Sequence, residues 1–286
     1  MLDVAVQQRT MLDYRSGAKP IWCPGCGDYG VLSSFYKALS ELNIPPEKVA
    51  IASGIGCSGR FPAFVNAYGF HGVHGRALPL ATGIKMANPD LVVFAMGGDG
   101  DAFSIGAGHL PHAARRNVDI TYIVMDNEIY GLTKGQPSPT SELGIVRKAS
   151  PYGSVERPLN PIAMALAYDA TFVARAFSAR PQDMIQLFIR GIQHQGFSFI
   201  QVLSPCVTFY DTYRHFKQVT VDIPPDHDVT DKAKAMALAL DEERLYLGVF
   251  YQRENELPYD ARVRAVQERA QGDGFSLERL MEHFRC

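Results

Sequence analysis

The chain has 286 residues, 47% hydrophobic and 20% charged, the profile of an ordinary soluble globular protein, which excludes a disordered chain, a collagen-like repeat and a disulfide-stapled mini-protein. Its 28 Lys and Arg against 30 Asp and Glu leave a formal net charge of −2, so no broad electrostatic attraction draws it to nucleic acid or an anionic bilayer, and neither is expected as a partner. At roughly 100–200 residues per domain, the length allows one large domain with an appendage and a core able to enclose a cofactor.

The N-terminal stretch carries Asp3 and Asp13 and no apolar run, so it reads as neither a secretion signal nor a membrane anchor, and a cytoplasmic location is expected. Residues 28–42 have apolar positions at helical spacing, and 49–52 form the first short apolar run. A helix is expected over 76–87 after a Gly-rich entry, then a strand over 91–96, a helix over 105–115 and a strand over 120–125. Further on come a strand at 171–174, a helix over 181–193 opening on Pro181, and a strand at 197–203. These apolar runs are strand-length, far short of the roughly 20 residues that span a bilayer.

The β and α segments alternate, which predicts an α/β fold with a doubly wound, mostly parallel sheet. Ligands in such sheets sit beyond the carboxyl ends of the strands. Residues 131–158 hold Pro137, Pro139, Pro151 and Pro158 and read as a long functional loop. After Thr208 the pattern becomes mixed, with a helix over 232–243, an apolar stretch at 248–251 and a charged tail. Residues 1–207 are therefore expected to form the α/β domain and 208–286 a C-terminal arm on the core or on a partner chain.

The strand at 91–96 runs into Gly97-Gly98-Asp99-Gly100-Asp101, and the strand at 120–125 runs into Asp126-Asn127-Glu128-Ile129-Tyr130-Gly131. Asp99 and Asn127 are separated by the length of one strand–helix–strand unit, so two oxygen donors can converge on a hard cation that also grips a diphosphate. Gly98 and Gly100 let backbone approach phosphate oxygens, and a helix beginning near Ser104 would aim free amides at them. Gly-Asp-Gly taken alone reads equally as a plain turn. The Asn after the next strand is what favours Mg²⁺ and a diphosphate, and the combination resembles the thiamine diphosphate motif.

The chain has five cysteines. Cys23 and Cys26 form a Cys-x-x-Cys step, while Cys57 and Cys206 follow the strands at 49–52 and 197–203. Four thiolates on loops suit either an iron–sulfur cluster or a tetrahedral zinc ion, and spacing does not separate the two. Cys286 is left over as a free thiol.

Trp-Cys-Pro-Gly-Cys-Gly, Gly-Ile-Gly-Cys-Ser-Gly-Arg, His-Gly-Val-His-Gly-Arg-Ala, Gly-Gly-Asp-Gly-Asp, Asp-Asn-Glu-Ile-Tyr-Gly-Leu-Thr-Lys-Gly-Gln-Pro-Ser-Pro-Thr and Ser-Pro-Cys occur in that order. Together they resemble the β subunit of 2-oxoacid:ferredoxin oxidoreductases over residues 18–210, and most resemble the 2-oxoglutarate branch. The resemblance implies a thiamine diphosphate-type sheet and three cofactors: thiamine diphosphate, Mg²⁺ and a 4Fe-4S cluster. Asp99, Asn127 and the carbonyl of Ile129 would be Mg²⁺ ligands, and Cys23, Cys26, Cys57 and Cys206 cluster ligands. Ile55, Gly56, Cys57, Ser58, His74, Gly131 and Leu132 would border the cofactor, with Gly98, Gly100 and Asp101 at its diphosphate. His74 and Arg60 would be catalytic, Arg60 by holding the distal carboxylate of 2-oxoglutarate in a two-pronged pair.

The implied reaction is coenzyme A-dependent oxidative decarboxylation of a 2-oxoacid, run forward or in reverse, with electrons leaving through the cluster to ferredoxin. An α subunit would complete the active site, supply the acid that activates the aminopyrimidine, and assemble as (αβ)2. A pyruvate-specific or broad-specificity enzyme is the near rival. A non-redox thiamine enzyme and a non-catalytic four-cysteine zinc scaffold are the distant ones.

Overall fold

The computed structural model describes residues 8–272 and 276–284; the expectations resting on Asp3 and on Cys286 lie outside them. The main sheet has eight strands in the order β2-β1-β3-β4-β8-β7-β10-β9. They are β1 (Val49–Ser53), β2 (Tyr68–His71), β3 (Val92–Gly98), β4 (Ile120–Asp126), β7 (Phe172–Phe177), β8 (Phe197–Leu203), β9 (Thr220–Asp222) and β10 (Leu245–Gln252). A separate hairpin joins β5 (Ile129–Tyr130) to β6 (Gln136–Pro137). All pairings in the main sheet are parallel except β10 with β7.

Burial on both faces explains why the central strands read as unbroken apolar runs. Alternate residues serve opposite cores: Ala50, Ala52, Val93 and Ala95 face one, while Val49, Ile51, Phe94 and Met96 face the other. The first core is covered by α2 (Ala77–Ala87), α4 (Leu110–Arg116), α5 (Pro161–Ala167) and α8 (Lys232–Ala239). The second is covered by α1 (Asp28–Glu41) and α6 (Pro181–Gln193), which pack on each other. There Phe94 of β3 meets Phe35 of α1 edge to face at 4.8 Å, a geometry aromatic pairs favour.

Three expectations change. No helix runs over 105–115. A five-residue helix, α3 (Asp99–Phe103), begins at the Gly-Asp-Gly turn itself, and α4 starts only at Leu110 after a 3-10 turn. Gly106 and Gly108 weaken the intervening stretch, and Pro111 favours a new helical start. The helix expected to reach residue 243 stops at Ala239. The segment after Thr208 does not stand off as an arm: β10 hydrogen-bonds to β7 and widens the main sheet. Helix α5, absent from the sequence reading, is opened by Asn160, whose side chain accepts from the Ala163 amide at 3.0 Å, the usual N-cap bond. No helix among the described residues is long and apolar enough to cross a membrane.

Candidate active site

The carboxyl ends of β1, β3 and β4 lie side by side and open into a cleft of about 500 Å³. Ile55, Gly56, Cys57 and Ser58 line it from the loop after β1, and His74 from the turn before α2. Gly98, Asp99, Gly100 and Asp101 line it from the end of β3, and Asn127, Ile129, Gly131 and Leu132 from the segment after β4. All the residues expected at a Mg²⁺-bound diphosphate cofactor are thus in one cleft. Two of its glycines leave no room for a side chain: a Cβ on Gly100 would stand 2.3 Å from the Tyr130 ring, and one on Gly98 2.8 Å from Ser58 Oγ.

Asp99 is buried, and its Oδ1 accepts from the Asn127 amide at 3.4 Å. The Asn127 side-chain oxygen accepts in turn from the Ile129 amide at 3.1 Å, which holds the carboxylate and the amide of the expected metal pair together. Asp126 lies beside them. The Thr140 hydroxyl is 2.9 Å from both Asp99 Oδ2 and Asp126 Oδ1, so one proton serves two carboxylates. Burial pushes the Asp99 carboxyl up, with repulsion from Asp126 adding to it. The arrangement is short of positive charge, which is the condition a divalent cation relieves.

One cation already partly offsets this charge. Asp126 Oδ2 accepts from Gln201 Nε2 at 2.7 Å, and Gln201 Oε1 accepts from Arg175 Nε at 2.8 Å. Arg175, on β7, is buried, and its guanidinium lies 5.3 Å from the Phe250 ring centroid. Burial lowers its pKa to about 10, so it stays charged near neutral pH. Replacing it, as in Arg175→Met, leaves the buried Gln201 Oε1 without its charged donor. Losing a hydrogen bond from a charged group costs about 1.5–3 kcal/mol, so the melting temperature should drop by roughly 3–12 °C; differential scanning calorimetry checks it.

Asp101 lines the cleft with its carboxylate turned into the protein. Its Oδ1 faces protein, accepting from the amides of Ile55 and Gly75 at 2.7 Å each and lying 3.0 Å from His74 Nδ1. Its Oδ2 fills the space where a Cβ on Gly54 would sit. Arg60 is not in the cleft lining; it lies on the 3-10 helix after Cys57, half-buried, its amide donating to the Cys57 carbonyl at 3.2 Å. His71 also stays out, its Nδ1 3.0 Å from Ser53 Oγ.

The four cysteines are unpaired thiols. A Cβ placed on Gly131 would stand 3.5 Å from Cys206 Sγ, 3.8 Å from Cys57 Sγ and 3.9 Å from Asn127 Nδ2. Gly131 therefore stands against two sulfurs, that of Cys57, which lines the cleft, and that of Cys206, which does not. Cys26 joins them through the turn in which its amide bonds the Cys23 carbonyl, and the Gly27 amide bonds the Pro205 carbonyl next to Cys206. Burial, followed by the charge of Asp28, pushes the Cys57 thiol up to about 11 and the Cys26 thiol further. Among the described residues, no three His, Cys, Asp or Glu side chains close around a single ion position.

Asp126, Thr140, Gln201, Arg175 and Tyr130 escaped the sequence reading. Asp126 precedes Asn127 at the same strand end, and Thr140 closes the Pro-Ser-Pro-Thr string, so both carried a local signal. Gln201 and Arg175 carried none, being interior positions of β8 and β7.

The fold and cleft are those of a thiamine diphosphate-binding domain. The family model described as the thiamine pyrophosphate enzyme C-terminal TPP binding domain matches residues 45–202, and the model for the C-terminal part of the pyruvate ferredoxin oxidoreductase beta subunit matches 206–268. The chain is 39% identical over 272 residues to 2-oxoacid:ferredoxin oxidoreductase 2, subunit beta, of Aeropyrum pernix, covering 90% of this chain and 88% of that one. It is 46% identical over 193 residues to the 2-oxoglutarate synthase subunit KorB of Methanocaldococcus jannaschii, covering 68% and 72%. A solved 2-oxoglutarate:ferredoxin oxidoreductase from Magnetococcus marinus, with 2-oxoglutarate, coenzyme A and succinyl-CoA bound, superposes with a TM-score of 0.94 at 42% identity, covering 98% and 97%. The chain belongs to the β-subunit family of the 2-oxoacid:ferredoxin oxidoreductases.

Proposed function

We propose that the chain is the β subunit of a 2-oxoglutarate:ferredoxin oxidoreductase, which converts 2-oxoglutarate and coenzyme A to succinyl-CoA and carbon dioxide. The observation that carries this is Gly131 in the cleft lining, with the sulfurs of Cys57 and Cys206 against it and Asn127 beside it. Bound there, thiamine diphosphate supplies the carbanion chemistry, Mg²⁺ the clamp on its diphosphate, and a 4Fe-4S cluster a one-electron path to ferredoxin.

Asp99, the Asn127 side-chain oxygen and the Ile129 carbonyl would hold the metal, and Gly98 and Gly100 would admit the diphosphate to the backbone. The free amides at the start of α3 would add donors for the diphosphate oxygens. Ile55, Gly56, Ser58, His74 and Leu132 would wall the reacting end. Cys23, Cys26, Cys57 and Cys206 would ligate the cluster, with Cys23 on the exposed side. Residues 1–207 would carry this chemistry, and 208–286 would finish the sheet and touch the neighbouring chains. An α subunit in an (αβ)2 assembly would complete the pocket in the cytoplasm.

The test is turnover by the co-expressed complex. Ferredoxin reduction that needs both 2-oxoglutarate and coenzyme A is expected, with none from the isolated β chain. Turnover by purified β alone, or none by the complex, contradicts the proposal. Arg60, half-exposed at the rim beside Cys57, is the candidate for the distal carboxylate. Arg60→Ala should lower kcat/KM for 2-oxoglutarate about 10–100-fold while changing that for pyruvate less than threefold, since a two-pronged charged contact contributes about 1.5–3 kcal/mol. Unchanged preference removes Arg60 from the substrate site.

A further inference from the structure

We propose that Asp101 is a positioning residue that presents His74 to the cleft through Nε2. This rests on the function just proposed and deepens it. The Asp101 side chain is 1% exposed and that of His74 40%, so one is enclosed and the other reaches the cleft. Three contacts converge on Asp101 Oδ1. Two are backbone amides, Ile55 and Gly75, at 2.7 Å, and the third is His74 Nδ1 at 3.0 Å. An oxygen that already accepts from two amides is acting as an acceptor, so Nδ1 carries the proton and donates to it. Nε2 is then the working atom of His74, as an acceptor in the neutral ring or a donor in the cation.

The rest of the pocket locks this arrangement. Asp101 Oδ2 is buried without a partner and stands 1.9 Å from a Cβ on Gly54 and 3.1 Å from one on Gly97. Gly54 and Gly97 leave the room that this oxygen fills. On the cleft side the His74 ring lies edge-on to Tyr130, with centroids 6.3 Å apart, and Tyr130 donates to the Gly100 carbonyl at 3.2 Å. The loops after β1 and before α2 are thus tied to α3 through one carboxylate oxygen. Asp101 acts on the reaction only through His74 and through these loops, and the two routes predict different outcomes.

The test uses the co-expressed complex and compares wild type with Asp101→Asn, His74→Ala and the double variant. Asp101→Asn keeps an oxygen for the two amides but removes the charge that holds Nδ1–H. It should lower kcat about 10–100-fold, the range seen when a partner orienting a functional histidine is removed, and leave thiamine diphosphate affinity, read by calorimetry, within threefold. The double variant should be no slower than His74→Ala, because residues acting as one unit are non-additive. Additive losses, or loss of cofactor affinity with kcat intact, overturn the inference. If Asp101→Asn does not assemble, the amide surrogates decide. His74→Gln, which places its nitrogen near Nε2, should retain at least tenfold more kcat than His74→Asn, and equality or the reverse overturns it. A wild-type complex without 2-oxoacid turnover overturns the proposed function instead, so the two failures are told apart.

Discussion

Asp99→Ala should abolish 2-oxoacid turnover by the assembled complex and weaken binding of Mg²⁺-thiamine diphosphate by at least about 100-fold. Asp99 is the one carboxylate of the expected metal set, and a buried divalent cation depends on ligand charge more than on neutral oxygens. Stability should move the other way. Burial and Asp126 raise the folded-state pKa of Asp99 above its unfolded value. An acid shifted upward destabilises the fold once pH exceeds its unfolded pKa, so at pH 7 the buried carboxyl of Asp99 destabilises the empty protein. Asp99→Asn removes that cost, and the cofactor-free complex should melt no lower than wild type. Calorimetric titration and a thermal melt check both. Undiminished cofactor affinity, or a lower melting temperature without cofactor, contradicts this account of the cleft.

Cys206→Ala should strip the iron from the β chain. Four thiolates hold a 4Fe-4S cluster, and Cys206 is the most enclosed of them, 8% exposed. The variant should fall from about four irons per β chain to below about one, lose its brown colour and stop reducing ferredoxin. Thiamine diphosphate affinity should change little, because Cys206 does not line the cleft and Gly131 lies between. Cys57 lines the cleft, so Cys57→Ala should lose iron and weaken cofactor binding together. Iron analysis with calorimetry on the anaerobically purified complex checks the pair. Full iron content in Cys206→Ala excludes it as a ligand.

The elements that could be read from the sequence were those whose physics is local. β4 and β8 are buried on both faces, so they appear as uninterrupted apolar runs, and α6 begins at Pro181 because proline suits a first helical turn. The cleft was legible for a related reason. In a parallel sheet the residues after each strand fall on one edge, so Cys57, Asp99 and Asn127 had to be neighbours once their strands were recognised. What escaped was decided across the sheet. β2 is an exposed edge strand of four residues with glycine at its second position, too short and too wet to show a pattern. β10 looked like part of an arm because its place is set by pairing with β7, where Gly248 stands opposite Arg175. The line from Asp99 through Thr140, Asp126 and Gln201 to Arg175 joins β3, the long loop, β4, β8 and β7, and no spacing in the chain announces it. Arg60 shows the opposite limit, since its motif suggested a substrate contact that its position beside the cleft leaves to experiment.

The most direct measurement is electron paramagnetic resonance of the anaerobic complex, frozen after addition of 2-oxoglutarate, with and without bound thiamine diphosphate. If cofactor and cluster meet at Gly131, a reduced iron–sulfur signal should appear on adding substrate and should require thiamine diphosphate. A complex that carries both cofactors yet shows no substrate-dependent reduction of iron, or one in which iron is reduced equally without thiamine diphosphate, would contradict the account.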